Sequence, residues 1–314
     1  MSTAYLFDPL YMKHKTGYGH PEQPERLSAI NNAIMEAPYY RDLVKITPSL
    51  PDIRYIEMIH SPSYIQRVRT ETMRGIDFLD SSDTVVCPES YDTALRAVGG
   101  SIRMCDAVIE GRAANGFCAI RPPGHHAEKN CAAGFCIFNN IAIAARYLQS
   151  RYGIRTIAIV DWDVHHGNGT QHSFESDNTI LYISLHQYPH HYPGTGSPSE
   201  TGIGVGNGYT LNIPMQAGSG DREYLDAFKS RIIPSLDSFK PEIILISAGF
   251  DAHRADPLSS IQLNSESFAE FTRMLKDAAE RHSHSRIIAF LEGGYDLRSL
   301  VDSVMKMMNV LVYK

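Results

Sequence analysis

Eight short apolar segments recur along the chain, and most of them are continuously apolar instead of alternating between apolar and polar positions. A continuous apolar run of about four to eight residues is typical of a strand that is covered on both faces, as in a parallel sheet. The predicted strands are residues 4–8, 43–48, 116–121, 155–163, 179–186, 209–214, 242–251 and 286–295.

Segments with the spacing of an amphipathic helix separate these strands, and several begin near a Pro, Ser or Asp, which favour a helix N-terminus. Examples are residues 24–37, 91–111, 138–153 and 265–282. Because strand and helix patterns alternate, the sequence predicts an α/β fold with a mostly parallel sheet of eight strands between layers of helices. No low-complexity linker, charge block or internal repeat interrupts the pattern, so we expect one domain over residues 1–314.

Composition and charge exclude several functions. Hydrophobic residues make up 43% of the chain and charged residues 20%, which is ordinary for a globular protein. The net charge of -6 gives no sign of a basic surface for nucleic acid or anionic lipid. No apolar run approaches the roughly 20 residues of a membrane span, and the first residues lack the pattern of a secretory signal. We therefore expect a cytoplasmic protein without a nucleic-acid or membrane partner, of unknown oligomeric state.

Cysteine and histidine are distributed differently. The 5 cysteines are scattered without a C-x-x-C pair, which argues against a disulfide framework or a zinc knuckle. Of the 14 histidines, 7 cluster at positions 125–126, 165–166 and 186–191, as a metal or proton-transfer site would require. The last cluster opens a long Gly-rich irregular segment, residues 186–208, and such loops are usually functional.

Polar clusters follow five of the predicted strands. The clearest is DWDVHHGNG at 161–169, where a buried strand ends in two carboxylates and two imidazoles. Buried charges persist only when they pair, form hydrogen bonds or share a cation. Because ligands bind beyond the carboxyl ends of parallel strands, we expect these clusters to form one site at that edge of the sheet.

Three of the clustered residues form a plausible catalytic zinc triad. In an extended chain the D-x-H spacing places Asp163 and His165 on the same side, and Asp251 follows a second buried strand. Two carboxylates and one imidazole leave a fourth position open for water or a substrate oxygen, as a catalytic zinc requires.

The tandem His125-His126 follows a stiff Pro-Pro-Gly turn and can divide general-base and electrostatic roles between its two rings. Asp161 and Asn168 are the natural partners, and a histidine backed by a carboxylate is more basic than one backed by an amide. Tyr295, after a flexible Gly-Gly pair, could stabilise an oxyanion through its phenol.

The sequence resembles the zinc-dependent histone deacetylases, which have the arginase/deacetylase fold. The resemblance covers nearly the whole chain in the order of the family motifs. These motifs are HPEQPERL (20–27), PESYDTALRAVGG (88–100), RPPGHHAE (121–128), GFCIFNN (134–140), DWDVHHGNGTQ (161–171), SLHQYPHHYPGTG (184–196), GFDAHRADPL (249–258) and LEGGYD (291–296).

The resemblance implies a hydrolase that removes acetyl groups from acetyl-lysine in proteins or peptides. It implies Zn²⁺ on Asp163, His165 and Asp251, a catalytic His125-His126 pair, and Tyr295 as the phenol that polarises the carbonyl. Further roles that it implies are a substrate amide contact at Gly134, channel walls at Phe135 and Tyr192, a structural K⁺ at Asp161, Asp163, His165, Ser184 and Leu185, and an internal product channel at Arg26 and Gly293.

Three alternatives to this interpretation remain open: a different substrate, a protein without catalysis, and a second metal. The HHGNGTQ motif has Asn168 where the other main branch of the family has aspartate, and in this it resembles the class II deacetylases. Leu258 fits the lysine-deacetylating members of that class. The acetylpolyamine-selective members often have glutamate there, so a deacetylase of small acetylated amines is the alternative. A non-catalytic acyl-lysine-binding module is more remote. Tyr192, His253 and Ala255 depart from the family pattern, and His253 could instead serve a second metal of the arginase kind.

Overall fold

In the computed structural model, which describes residues 2–313, each predicted apolar segment contributes a strand to one sheet. The strands are β1 (Thr3–Leu6), β2 (Val44–Ile46), β3 (Asn115–Cys118), β4 (Ile157–Asp161), β5 (Ile180–Gln187), β6 (Thr210–Met215), β7 (Ile243–Ala248) and β8 (Ile287–Leu291). Their order across the sheet is β2-β1-β3-β8-β7-β4-β5-β6. Each neighbouring pair is parallel, so the predicted α/β fold is confirmed, with a sheet that is parallel throughout.

Helices fill the connections between the strands. Within residues 2–313 they are α1 (Glu25–Glu36), α2 (Ile53–Ile56), α3 (Pro62–Met73), α4 (Ser90–Ile109), α5 (Asn140–Tyr152), α6 (Asn168–Phe174), α7 (Asp221–Ala227), α8 (Ile233–Phe239), α9 (Ser265–His282) and α10 (Leu297–Val312). A π-helical turn, Phe228–Ile232, joins α7 to α8. No helix described in this range has the length and apolar character needed to cross a membrane.

The helices cover both faces of the sheet. Helix α4 packs against α5, and α9 packs against α10. Strand β3 contacts α4 from the first pair and α10 from the second, while β7 contacts α5 and α9. Every residue of β3, β4, β5, β7 and β8 is buried as a result. This explains why these strands are continuously apolar in sequence.

Six of the strands end earlier than the sequence predicts, and for β7 and β8 the reason is that the residues after the strand turn towards buried carboxylates. Strand β7 stops at Ala248, and a Cβ atom on the next residue, Gly249, would lie 2.1 Å from Asp163 Oδ2. Strand β8 stops at Leu291, and a Cβ atom on Gly293 would lie 1.9 Å from Asp251 Oδ2. Only glycine allows the backbone to approach the carboxylates this closely.

The predicted long loop runs from β5 to β6 and is irregular apart from a 3₁₀ turn at Gly204–Gly206. Glu200 fixes its centre by accepting hydrogen bonds from the backbone N–H groups of Gly196 at 3.1 Å and Ser197 at 2.8 Å. His186 Nε2, at the end of β5, lies 2.9 Å from the Gly196 carbonyl oxygen. These contacts hold the loop at the carboxyl edge of the sheet, where the predicted site lies.

Candidate active site

The structure brings the three predicted zinc ligands together in the buried interior. Asp163 and His165 follow β4, and Asp251 follows β7, its neighbour in the sheet. The Nδ1 atom of His165 lies 3.1 Å from Asp163 Oδ1 and 3.2 Å from Asp251 Oδ2. Oxygen or nitrogen ligands about 2.0–2.1 Å from a tetrahedral zinc are roughly 3.3 Å apart, so these donors have the spacing of a zinc site.

Hydrogen bonding within this triad is incomplete, which also suits a cation. His165 Nδ1 carries at most one hydrogen, which bonds Asp163, so Asp251 Oδ2 makes no hydrogen bond among the described residues. Burial raises the pKa of Asp251, and the charge of Asp163 raises it further. Two adjacent buried carboxylates are costly unless a cation is shared between them. The donor set therefore fits a divalent metal.

A second group of residues has the spacing of a metal site but not the chemistry. His125, Cys136 and Glu292 place one potential ligand atom each within 4.8 Å of one another. Burial, followed by the charge of Glu292, raises the pKa of the Cys136 thiol well above its ordinary value. Zinc binds the thiolate rather than the thiol, so this group is a poor metal site.

The two rings of the histidine pair lie 4.0 Å apart, and each contacts a different partner. His125 Nδ1 is 3.1 Å from Asp161 Oδ2, and His126 Nδ1 is 2.7 Å from Asn168 Oδ1. Burial alone would lower the pKa of His125, but the charges of Asp163 and Asp161 raise it to about 10. Burial and the charge of His125 lower the pKa of His126 well below its ordinary value. The arrangement thus favours a cationic His125 beside a neutral His126.

Glu292 holds the turn that aims these rings, a role that the sequence did not predict. One of its carboxylate oxygens accepts hydrogen bonds from the backbone N–H groups of Gly124 at 2.7 Å and His125 at 3.2 Å. Burial raises the pKa of Glu292 to about 7, even though the charge of His125 acts to lower it. The carboxylate thereby links the end of β8 to the histidine turn.

A cavity of about 300 Å³ opens beside the triad. Its lining includes the predicted residues His126, Gly134, Phe135, His165, Tyr192, Leu258 and Tyr295. It also includes His190 and His191, from the histidine cluster at 186–191, and Asp83, which the sequence did not single out. Two larger surface depressions, of about 910 and 670 Å³, contain none of the triad or the histidine pair, so size alone does not locate this site.

Tyr295 lies at this cavity on a backbone that Asp256 fixes. The Asp256 carboxylate accepts hydrogen bonds from the backbone N–H groups of Tyr295 at 2.6 Å and Leu258 at 3.0 Å. The Tyr295 ring meets Phe135 edge-on, with the ring centroids 5.7 Å apart. Burial and the nearby charge of Asp251 raise the pKa of the Tyr295 phenol well above its ordinary value. The phenol therefore keeps its proton and can donate a hydrogen bond.

Arg26 lies behind the site, completely buried. It donates hydrogen bonds to the carbonyl oxygens of Gly294 at 2.6 Å and Glu292 at 2.5 Å, and Nη1 lies 3.0 Å from Glu22 Oε1. Gly293, predicted to line the same channel, donates its N–H to Asp163 Oδ2 at 2.8 Å, so it supports the triad directly.

The residues implied for a monovalent cation meet between two neighbouring strands. Asp161 of β4 pairs in register with Ser184 of β5, and Leu185 is the next residue. Asp161 Oδ1 also accepts a hydrogen bond from the backbone N–H of Asp163 at 3.1 Å. The set is therefore contiguous with the triad and shares Asp163 and His165 with it.

His253 and Tyr192, two departures from the family pattern, have different surroundings. The ring nitrogens of His253 contact the backbone N–H of Ala255 at 3.1 Å and the Ser265 hydroxyl at 3.3 Å. Among the described residues no metal-like group includes His253, which gives no support to a second metal. Tyr192 lies at the cavity mouth, 40% exposed, with its ring centroid 5.0 Å from that of His126.

Comparison with known proteins gives a consistent result. The family described as the histone deacetylase domain matches residues 20–311. A probable deacetylase of Archaeoglobus fulgidus is 41% identical over 95% of this chain and 82% of its own length. The human polyamine deacetylase HDAC10 is 36% identical over 90% of this chain and 43% of its own length. The crystal structure of the HDA15 HD domain superimposes with a TM-score of 0.94 at 37% identity, covering 99% of this chain and 89% of that one.

Proposed function

The chain belongs to the histone deacetylase family, and from that premise we propose that it is a zinc-dependent amidohydrolase acting on acetyl-lysine in proteins or peptides. Family membership supports a hydrolase. The observation that carries the finer proposal is the convergence of the buried triad, the histidine pair and a protonated phenol around one cavity. These groups follow four strands: the triad follows β4 and β7, the histidine pair follows β3, and the phenol follows β8.

Asp163, His165 and Asp251 are the residues that would hold the zinc. When bound, the metal supplies Lewis acidity, which polarises a carbonyl oxygen and makes water more acidic. Gly293 assists by donating its N–H to Asp163 Oδ2, which leaves the other oxygen towards His165. Hydrogen bonds of this kind orient ligands and are themselves part of a metal site.

His126 is the general base in this proposal. Its Nδ1 atom is engaged by Asn168, which leaves Nε2 to take a proton from water. Its lowered pKa keeps the imidazole neutral and ready to accept that proton. The same nitrogen then donates the proton to the departing amine. His125, whose Nδ1 atom contacts Asp161, lies beside the His126 ring and would stabilise negative charge as it develops.

Tyr295 and the cavity walls position the substrate. The Tyr295 phenol donates a hydrogen bond to the oxyanion that forms when water adds to the acetyl carbonyl. The Gly134 carbonyl accepts the substrate amide N–H. Phe135 and Tyr192 enclose the apolar stem of the lysine, and the space of about 300 Å³ suits a single side chain.

Three finer parts of the proposal concern the surroundings of the site. A structural K⁺ at Asp161, Ser184 and Leu185 would offset the carboxylates of β4, since carbonyl and carboxylate oxygens suit such a cation. Arg26 and Gly293 would line the path of the acetate product. Residues 1–314 would act as one domain, and a cytoplasmic location stays a prediction.

A deacetylase of small acetylated amines is the second candidate. Asp83 supports it, because this acidic residue lines the cavity and a carboxylate there would attract a second cation in the substrate. The similarity to a polyamine deacetylase also supports it. Leu258 favours acetyl-lysine, because an apolar side chain in the cavity gives no such attraction.

The deciding experiment compares kcat/KM for an acetyl-lysine peptide and for acetylated spermidine, with zinc per chain measured on the same sample. We expect the peptide to be preferred at least about 10-fold, a difference of about 1.4 kcal/mol in transition-state binding. A reversed ratio would select the second candidate. A sample that retains zinc and hydrolyses neither substrate would refute the proposed activity.

A further inference from the structure

A chain of hydrogen bonds leads from the proposed general base to the protein surface. His126 Nδ1 contacts Asn168 Oδ1 at 2.7 Å, and Asn168 Nδ2 donates to Glu128 Oε1 at 2.6 Å. His172 Nδ1 reaches the same Glu128 oxygen at 2.7 Å. Asn168 and His172 are one turn apart on α6, so both side chains reach the same carboxylate.

Glu128 decides which way the Asn168 amide points. An ionised carboxylate can only accept hydrogen bonds, so the NH₂ group of Asn168 must face Glu128. The amide oxygen then faces His126, which must donate from Nδ1 and keep the lone pair on Nε2. If the amide were flipped, its oxygen would face the Glu128 carboxylate at hydrogen-bond distance, where neither atom can donate. Its NH₂ group would face His126 Nδ1–H, where neither atom can accept. The outer carboxylate therefore selects the tautomer of the inner histidine.

The backbone of Glu128 is itself fixed, and its carboxylate is held by Asn168 and His172. The Glu128 carbonyl oxygen accepts a hydrogen bond from His60 Nδ1 at 2.8 Å. His60 Nε2 accepts in turn from the backbone N–H of Asn139 at 2.9 Å. Burial lowers the pKa of His60 to about 4, so the ring is neutral and each nitrogen has a defined role. The side chain of Glu128 is only 25% exposed.

We infer that Glu128 is a positioning residue that, through Asn168, holds His126 as the Nδ1–H tautomer with a free Nε2. The inference rests on the proposed function, in which His126 Nε2 accepts the proton. It extends that function by one residue, because Glu128 touches neither the substrate cavity nor the triad. Asn168 carries no charge of its own. Its amide is oriented by the Glu128 carboxylate, and that orientation in turn fixes the position of the proton on His126.

The first test reads the tautomer directly and needs no substrate. Nitrogen-15 NMR of the histidine side chains distinguishes a protonated ring nitrogen from one with a lone pair, and His126→Gln assigns the His126 signals by their loss. We expect Nδ1–H alone in the wild type. In Glu128→Gln, a side chain of the same shape that can offer Asn168 either a donor or an acceptor, we expect a mixture of tautomers. An unchanged tautomer in Glu128→Gln would overturn the inference even if the wild type proved inactive on every acetylated amine.

The second test moves the carboxylate from position 128 to position 168 and the amide from position 168 to position 128. Glu128→Gln should lower kcat in proportion to the Nδ1–H tautomer that the NMR spectrum shows to be lost, about 2- to 10-fold for a mixture, with KM unchanged, since the wrong tautomer contributes little to the rate. Adding Asn168→Asp should restore kcat to about the wild-type value, because both oxygens of an aspartate accept from Nδ1–H. A double variant no better than Glu128→Gln would contradict the relay.

The matched control is Glu71→Gln. Glu71 is 31% exposed and lies 3.1 Å from Arg67 in an ion pair on α3, so it resembles Glu128 in exposure and pairing. It should retain wild-type kcat and the wild-type histidine signals. If Glu71→Gln lowers kcat as much as Glu128→Gln, the loss is general and the inference fails.

Discussion

Replacing Tyr295 by phenylalanine isolates one atom of the proposed chemistry. The ring that remains keeps its edge-on contact with Phe135, at a centroid distance of 5.7 Å, and its position 5.1 Å from the Arg26 guanidinium. The backbone keeps its hydrogen bond to Asp256. The Tyr295 hydroxyl makes no hydrogen bond to the described residues, so its loss should change the free energy of unfolding by less than about 0.5 kcal/mol.

The effect on the rate should be much larger than the effect on stability. Removing one donor that stabilises an oxyanion typically costs about 10²- to 10³-fold in kcat, or about 2.7–4 kcal/mol of the activation barrier. A water that replaced the hydroxyl would lack the fixed position that the phenol has at the cavity. Steady-state hydrolysis of an acetyl-lysine peptide measures kcat, and thermal unfolding and zinc per chain show that fold and metal are retained.

Tyr224 on α7 provides a matched control. It is completely buried, its hydroxyl has no hydrogen-bond partner among the described residues, and it does not line the cavity. Tyr224→Phe therefore makes the same chemical change at a hydroxyl that does not line the cavity, and it should leave kcat unchanged. Wild-type kcat in Tyr295→Phe, or an equal loss in Tyr224→Phe, would refute the role assigned to the Tyr295 hydroxyl.

Three further changes test the site and its support. Asp251→Asn should weaken zinc binding at least about 100-fold, measured as zinc per chain against a competing chelator, and unchanged retention would remove Asp251 from the ligand set. Gly293→Ala should release the metal as well, because its Cβ would lie 1.9 Å from Asp251 Oδ2; a variant with full zinc content would contradict that crowding. Burial acts to raise the pKa of Glu22, but Arg121 and Arg26 lower it from 4.5 to about 2. The ionised Glu22 carboxylate therefore stabilises the fold fully above pH 4.5, and this stabilisation is lost as the pH falls towards 2. Urea unfolding of Glu22→Gln should show a loss of about 3–5 kcal/mol at neutral pH that shrinks over this range, and a pH-independent loss would refute the linkage.

The sequence was sufficient to predict the fold, because the sheet is buried on both faces. Each continuous apolar run became a strand, and the predicted helix at 265–282 has the same bounds as α9. Strand ends were less accurate. The predicted runs 242–251 and 286–295 extend past β7 and β8, since the sequence does not show that Gly249 and Gly293 turn against carboxylates.

The residues that bring chemistry and the side chains that pair with the two histidines were visible in sequence, whereas the residues that hold the backbone around them were not. Glu292 meets Gly124 across 168 positions, and Asp256 meets Tyr295 across 39. No local spacing encodes such contacts, because they depend on which strands become neighbours in the sheet. Glu128, two positions after His126, was close enough in sequence to notice, but its partner Asn168 is 40 positions away.

The charges around the site explain why the sequence concentrates its carboxylates at β4, β7 and β8. Asp161, Asp163 and Asp251 are completely buried, and Glu292 is nearly so. The nearby cations of the chain do not neutralise them all: Arg26 is committed to Glu22 and backbone carbonyls, and His125 can offset only one negative charge. Burial raises the pKa values of Asp161, Asp251 and Glu292, so cations from solution would allow more of these carboxylates to stay ionised. A divalent ion at the triad and a monovalent ion beside Asp161 and Ser184 would both act in this way, which supports treating both as parts of one site.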